Sequence, residues 1–302
     1  MLHVSDANSC SKECLSQLKV SDEAALDAYR RLQALLSSLK PLQDDAEGAA
    51  PHLLDHVAGT TQRLHQQIRD AFSAELDSVL EEIRWPRPDA SIPISLHQDW
   101  AETFGKLLDL QKPALQEREN GSAGNKDSRA PLALLPLQVL AQPLEMRFRY
   151  HFEGDRPTNR LDKPEYFLSH VLDLLGSYSA FVIDNVQPLL LKHFRGTDLA
   201  LNSVYIDAIS AWVTALLPIL RAKIFSMLPK VSSQPQLLSH LMHEIMRFDT
   251  TIRDEWRYDG GYGVEGWKGL AWEVLVQKDY FDRWLQVEKD CKCRTVRGIT
   301  RC

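Results

Sequence analysis

Apolar residues recur along most of the chain at steps of three, four or seven, the spacing of one helix face. The longest run covers residues 51–83, where Leu53, Val57, Leu64, Ile68, Phe72, Leu76, Val79 and Ile83 form one stripe. At 1.5 Å per residue a helix of that length extends roughly 50 Å, which favours a rod over a compact domain. Proline and glycine punctuate the pattern. Residues 21–40 predict a helix capped by Ser21, with Asp22 and Glu23 at the positive end of its dipole and Pro41 as its stop. Pro86 and Pro88 close the long run. Residues 96–115 then carry Trp100, Phe104, Leu107, Leu108 and Leu110 on a helix limited by Pro113. The small, polar stretch 119–130 reads as a flexible loop.

The second half continues in the same manner. Residues 131–143 hold prolines among leucines and predict a broken helical lead. Residues 164–175 predict a helix stopped by Gly176, and residues 179–194 another that restarts near Pro188. Residues 198–228 predict one long hydrophobic helix bent at Pro218. Residues 234–256 place Leu237, Leu241, Ile245, Phe248 and Ile252 on one face. The glycines at 260, 261, 263, 266 and 269 predict a loop into a last helix with Val274, Phe281, Trp284 and Leu285. No alternation of period two is visible, so the expected class is an all-α array.

Residues 144–167 (LEMRFRYHFEGDRPTNRLDKPEYF) are the stretch around which the chain is organised. Phe148 and Phe152 share a helix face, Gly154 offers a left-handed stop, and Asp155, Pro157, Thr158 and Asn159 favour a turn. With Asp162 as N-cap, Glu165 falls at the third helical position and closes a capping box, and Pro164 is tolerated in the first turn. Arg147, Arg149, Arg156 and Arg160 alternate with Glu153, Asp155, Asp162 and Glu165. Catalytic carboxylates need a pocket and perturbed titration. Ion pairs and caps that fix an interhelical angle are the simpler reading. The residues assigned to this structural signature are Arg147, Tyr150, Asp155, Arg156, Pro157, Asn159, Asp162 and Glu165.

Residues 147–172, together with SSQPQLLSHLMHEIMRFDTTIRDEW at 232–256 and YDGGYGVEGWKGLAWEVLVQKDYFDRWLQVEKD at 258–290, resemble the RINT/TIP family, named for Rad-fifty-interacting protein and Tip-twenty. The resemblance is strong over 131–290, fainter over 21–118, and nearest the filamentous-fungal branch. It implies a rod of stacked helical bundles. It also implies a non-enzymatic subunit of the Dsl-type complex that captures coatomer-coated vesicles returning from the Golgi to the endoplasmic reticulum. The implied partners are the other tether subunits and the SNAREs of that membrane, with membrane association indirect. A nuclear checkpoint or repair scaffold is the alternative that the family name implies. Family members usually begin with a coiled coil and continue helically beyond VEKD. The expectation is therefore an unpatterned, poorly ordered segment at 1–20, a helical segment at 21–130, the signature region at 131–290, and an aberrant, poorly ordered tail at 291–302. A shortened rod would leave Phe281, Trp284 and Leu285 with too little cover.

Composition narrows the function classes. A net charge of −6 argues against general nucleic-acid binding. The most apolar run, 208–220, is too short to span a bilayer, and the N-terminus lacks a secretory pattern, so the expected location is cytoplasmic, or peripheral on a membrane through partners; the resemblance implies that this membrane is the endoplasmic reticulum. Cys10, Cys14, Cys291, Cys293 and Cys302 are odd in number and lie at the extremes, which predicts reduced thiols. Gly261 to Gly266 formally matches a dinucleotide fingerprint but follows a helical pattern instead of a strand. His240 and His243 are spaced to share a helix face but have no third ligand. No catalytic residue, cofactor or metal is expected.

Overall fold

The computed structural model describes residues 2–17, 21–45, 51–120, 131–261, 266–276 and 280–296. Among them are twelve α-helices and no strand, so the all-α class expected from periodicity holds. The chain divides into two compact units, Met1–Val79 with Gln98–Lys112, and Leu80–His97 with Pro113–Cys302.

The first unit contains α1 (Leu2–Gln17), α2 (Asp22–Asp45), nearly all of α3 (Pro51–Glu82) and the first part of α4 (His97–Asn120). Leu2–Gln17 is helical, where an unpatterned segment was expected over 1–20. It packs along α2; Ala7 and Cys14 are buried, as are Ala25, Ala28 and Leu32 of α2, and the Cys14 thiol donates to Ala25 O at 3.1 Å. Small residues carry little hydropathy signal, which is why the pattern was silent there. Ser21 caps α2 as expected, accepting from Ala24 N at 3.4 Å. Pro41 does not end α2, which runs to Asp45. The α3 stripe from Val57 to Leu76 is buried, as are Trp100, Phe104, Leu107 and Leu108 of α4. Lys106 of α4 ties three helices together through Asp22 at 2.5 Å, Glu75 at 2.8 Å and Glu102 at 3.3 Å.

The second unit is built around α9 (Ala208–Val231), which is buried on nearly every side and therefore apolar all round. Packed with it are α5 (Leu135–Phe152), α6 (Glu165–Asn185), α8 (Ser203–Ile206) and α10 (Pro235–Asp254); α7 (Gln187–Phe194) joins α6 to α8. Following α10 are α11 (Gly269–Leu275) and α12 (Phe281–Val296). Several breaks expected from proline and glycine are absent. Helix α5 is continuous, with Pro136 in its first turn and Pro143 inside it, because the face of Leu140, Leu144 and Phe148 stays buried throughout. Helix α6 passes through Gly176 for the same reason: Val171, Leu175, Tyr178 and Val182 keep one buried face, and their burial outweighs the ~1 kcal/mol helix penalty of glycine. The restart expected near Pro188 is present, with Pro188 in the first turn of α7. The expected single helix over 198–228 is a 3-10 turn at Asp198–Leu201, the short α8, and α9. Asn202 and Asp207 cap the two helices, accepting from Val204 N at 3.0 Å and Ser210 N at 2.7 Å. The expected last helix is likewise two, α11 and α12. Helix α9 outruns the apolar stretch 208–220, and by length and composition α6 and α9 could each cross a membrane; most of α9 lies inside its own unit. Helix α12 lies along α10, with Phe281 44% exposed and Trp284 and Leu285 half-buried.

The segment after α3 is anchored by aromatics. Trp85 donates its indole N–H to Leu140 O at 2.9 Å and packs against Tyr178 and Phe181, and Tyr178 donates to Pro86 O at 2.8 Å.

Candidate functional site

The corner between α5 and α6 has the expected outline and a different interior. Helix α5 ends at Phe152, and Gly154 takes the left-handed conformation, φ +63°. Helix α6 begins at Glu165, with Pro164 before it and no side-chain cap. The capping box assigned to Asp162 is therefore absent. Asp162 pairs instead with Arg160, at 3.0 and 2.5 Å, on the exposed surface, and this bond holds its carboxyl below the usual range.

The alternating charges do not form one network. Arg149 bonds Glu145 at 2.5 Å and reaches Glu153 at 4.0 Å. Arg156 stacks on the ring of Tyr150 at 4.1 Å. Among the described residues, Arg147 and Asp155 join no ion pair; both are exposed, as is Pro157. Glu165 lies between Lys163 at 3.1 Å and His240 of α10 at 3.3 Å. Burial pushes its carboxyl up, but backbone bonding, Lys163 and His240 together bring it below the usual range.

What closes the corner is Asn159 and a lysine from another helix. Asn159 donates to Gly154 O at 2.7 Å and accepts from Lys223 Nζ at 2.5 Å. Lys223 of α9 is 6% exposed and also donates to Phe152 O at 2.5 Å, satisfying a carbonyl that the last turn of α5 leaves without a partner. The ammonium stands 5.9 Å from the Phe167 ring, and burial lowers its pKa from the ordinary lysine value. One side chain thus joins α5, the turn, α6 and α9. Thr158 adds a hydroxyl bond to His151 O. Lys223 is absent from the signature derived above, though a signal was present: it stands four residues from Ile219 and from Met227, both buried.

This arrangement separates the roles of two neighbouring residues. Asn159→Ala should lower stability by about 2 kcal/mol, because it strips one acceptor from a buried ammonium. Asp162→Ala should leave the urea midpoint where it is, since its ion pair is exposed.

A second junction joins the two later signature stretches. Asp249 of α10 is 4% exposed and its carboxylate accepts from Leu270 N at 2.9 Å and Ala271 N at 2.8 Å, holding the start of α11. Gly269 has φ +90°, and a β-carbon there would lie 2.7 Å from Asp249 Cγ. Arg253 donates to Trp267 O at 3.1 Å, and Arg221 of α9 grips Glu273 at 2.6 and 2.8 Å. Burial pushes the Asp249 carboxyl up to about 7, against the two N–H bonds and Arg253 that favour its charged form. Between its ordinary value and about 7 the folded state holds a proton that the unfolded chain has released, so stability falls as pH rises through that window and levels off above it. Hydrogen exchange of 269–275, corrected for intrinsic rates, should show more frequent opening at pH 8 than at pH 5.5, and Asp249→Asn should remove the difference.

Other chemistry considered above finds little geometry. Among the described residues no group of histidine, cysteine and carboxylate side chains could hold a metal. His240 serves Glu165 and His243 is exposed. Gly263 of the glycine motif lies outside the described residues. Gly261 follows helix α10 and packs against Asn202, with a β-carbon there only 2.7 Å from Asn202 Cγ. Cys10 and Cys14 are free thiols; burial pushes Cys14 up to about 11 and keeps it protonated. Cys302 lies outside the described residues.

Comparison with known proteins agrees with the signature stretches. The RINT-1/TIP-1 family model matches residues 135–301, more than half of the chain. The chain belongs to the RINT-1/TIP-1 family. The match runs past Asp290, where the resemblance was expected to stop, and α12 likewise continues helically to Val296. The chain is similar to a RINT1-like protein of Drosophila melanogaster, 25% identical over 232 residues that cover 74% of this chain and 30% of that protein. It is also similar to protein transport protein tip20 of Schizosaccharomyces pombe, 23% identical over 291 residues that cover 95% of this chain and 37% of that protein. It thus spans about a third of the length of these relatives. No solved structure gives a significant match.

Proposed function

We propose that this RINT-1/TIP-1 chain is a non-enzymatic helical subunit of a vesicle-tethering complex, acting in retrograde transport from the Golgi to the endoplasmic reticulum. The observation that carries the reading is the family match over 135–301, joined to likeness with a protein transport protein over nearly the whole chain. The geometry is compatible with it. The side chains described at the corner and at the α10–α11 junction cap and pair helices. In this reading the helices hold binding surfaces at fixed angles for the other tether subunits and for SNAREs of the endoplasmic reticulum, and the chain reaches that membrane through them.

The test is to tag the chromosomal copy, image it, and deplete it while following a reporter that ends in an endoplasmic-reticulum retrieval signal. The expected result is a signal on the endoplasmic reticulum, co-precipitation of its SNAREs, and secretion of the reporter on depletion. A purely nuclear signal with unimpaired retrieval would replace this reading with that of a nuclear scaffold.

A further inference from the structure

Outside the family signature, α1 and α3 enclose a cleft of about 260 Å³ lined by Ser11, Lys12, Thr60, Arg63, Leu64 and Gln67. Its lining holds two cations, three uncharged hydrogen-bonding groups and no carboxylate. The cleft beside the corner differs: Glu153 and Asp155 line it together with Arg149 and Arg156, so its charges compensate internally. In the α1–α3 cleft the acids nearest in sequence are engaged elsewhere. Glu13 bonds Arg31 at 2.6 Å, and Asp70 accepts the Gln66 amide at 2.7 Å. Among the described residues no ion pair joins Lys12 or Arg63.

The cleft is also ordered from within. Thr60 is 7% exposed, and its hydroxyl accepts from Arg63 Nη2 at 3.3 Å, which draws the guanidinium toward the cleft wall. Leu64, 1% exposed, supplies an apolar floor. A guanidinium fork, an ammonium point charge and neutral hydroxyl and amide groups lining one small cleft are complementary to a phosphate dianion.

We propose that the α1–α3 cleft binds a phosphomonoester group, with Lys12 and Arg63 as its charged contacts and Thr60 as the residue that positions Arg63. A soluble phosphorylated molecule and a phosphorylated lipid headgroup share this chemistry.

The full chain is titrated with inorganic phosphate and with inositol hexakisphosphate, and floated with phosphatidylcholine vesicles that contain or lack phosphatidylinositol phosphate. Saturable binding is expected. The exposed pair Lys12→Gln with Arg63→Gln should weaken it at least ~tenfold with an unchanged helical spectrum. Arg63→Lys should retain part of the binding, and Thr60→Val should weaken it less than the pair. Binding of the soluble probes alone assigns a soluble ligand; vesicle flotation lost in the double variant assigns a headgroup. Absence of binding to every probe, or equal binding by the parent and the double variant, overturns the proposal.

Discussion

Replacing Gly269 by alanine should destabilise the chain by about 3 kcal/mol or more, the sum of a residue strained at positive φ and displaced buried hydrogen bonds. The added methyl would stand 2.7 Å from Asp249 Cγ and 3.2 Å from its Cβ. Asp249 cannot retreat without releasing the Leu270 and Ala271 N–H groups, which have no water to turn to. Gly176→Ala is the matched control. It lies inside α6, its β-carbon would meet nothing within 4 Å, and alanine there should stabilise by roughly 0.5–1 kcal/mol. The measurement is the urea midpoint together with hydrogen exchange of 266–276. Midpoints that move together for the two variants would show that the Asp249 contact does not govern Gly269.

Lys223→Met should lower stability by about 3 kcal/mol, although it places a more apolar side chain of similar length in an apolar surrounding. The loss comes from Phe152 O and Asn159 Oδ1, which each keep a buried acceptor and lose their donor. Because Asn159 and Lys223 act through one bond, the double variant Asn159→Ala with Lys223→Met should lose less than the two single variants added, by ~1 kcal/mol. Exact additivity would mean that the ammonium and the amide do not meet. Local opening should appear at the end of α5 and in 153–164, since those are the groups the lysine holds.

Position along the chain made the elements legible. The α3 stripe, the ends of α5 and α10, and the left-handed Gly154 all follow from local periodicity and local backbone preference, and the structure has them. The same reasoning misplaced breaks at Pro41, Pro143 and Gly176. There a modest local penalty competes with burial of a face on another helix, and that gain is invisible in a window of neighbours. It also overlooked α1, where the buried positions among the described side chains are Ala7 and Cys14.

The sequence by itself determined the class of fold, the existence of a turn at 153–164 and, through its long unusual motifs, the family. These depend on near neighbours or on wording kept within one stretch. Which groups secure the turn was decided only in three dimensions. Asp162 had the right spacing for a cap, but the helix starts three residues later and the acid turns to Arg160. Lys223 is 64 residues from Asn159 and 71 from Phe152, and Asp249 is 21 from Leu270. A buried donor takes whatever acceptor packing brings within reach, and packing is set by the whole set of helices at once.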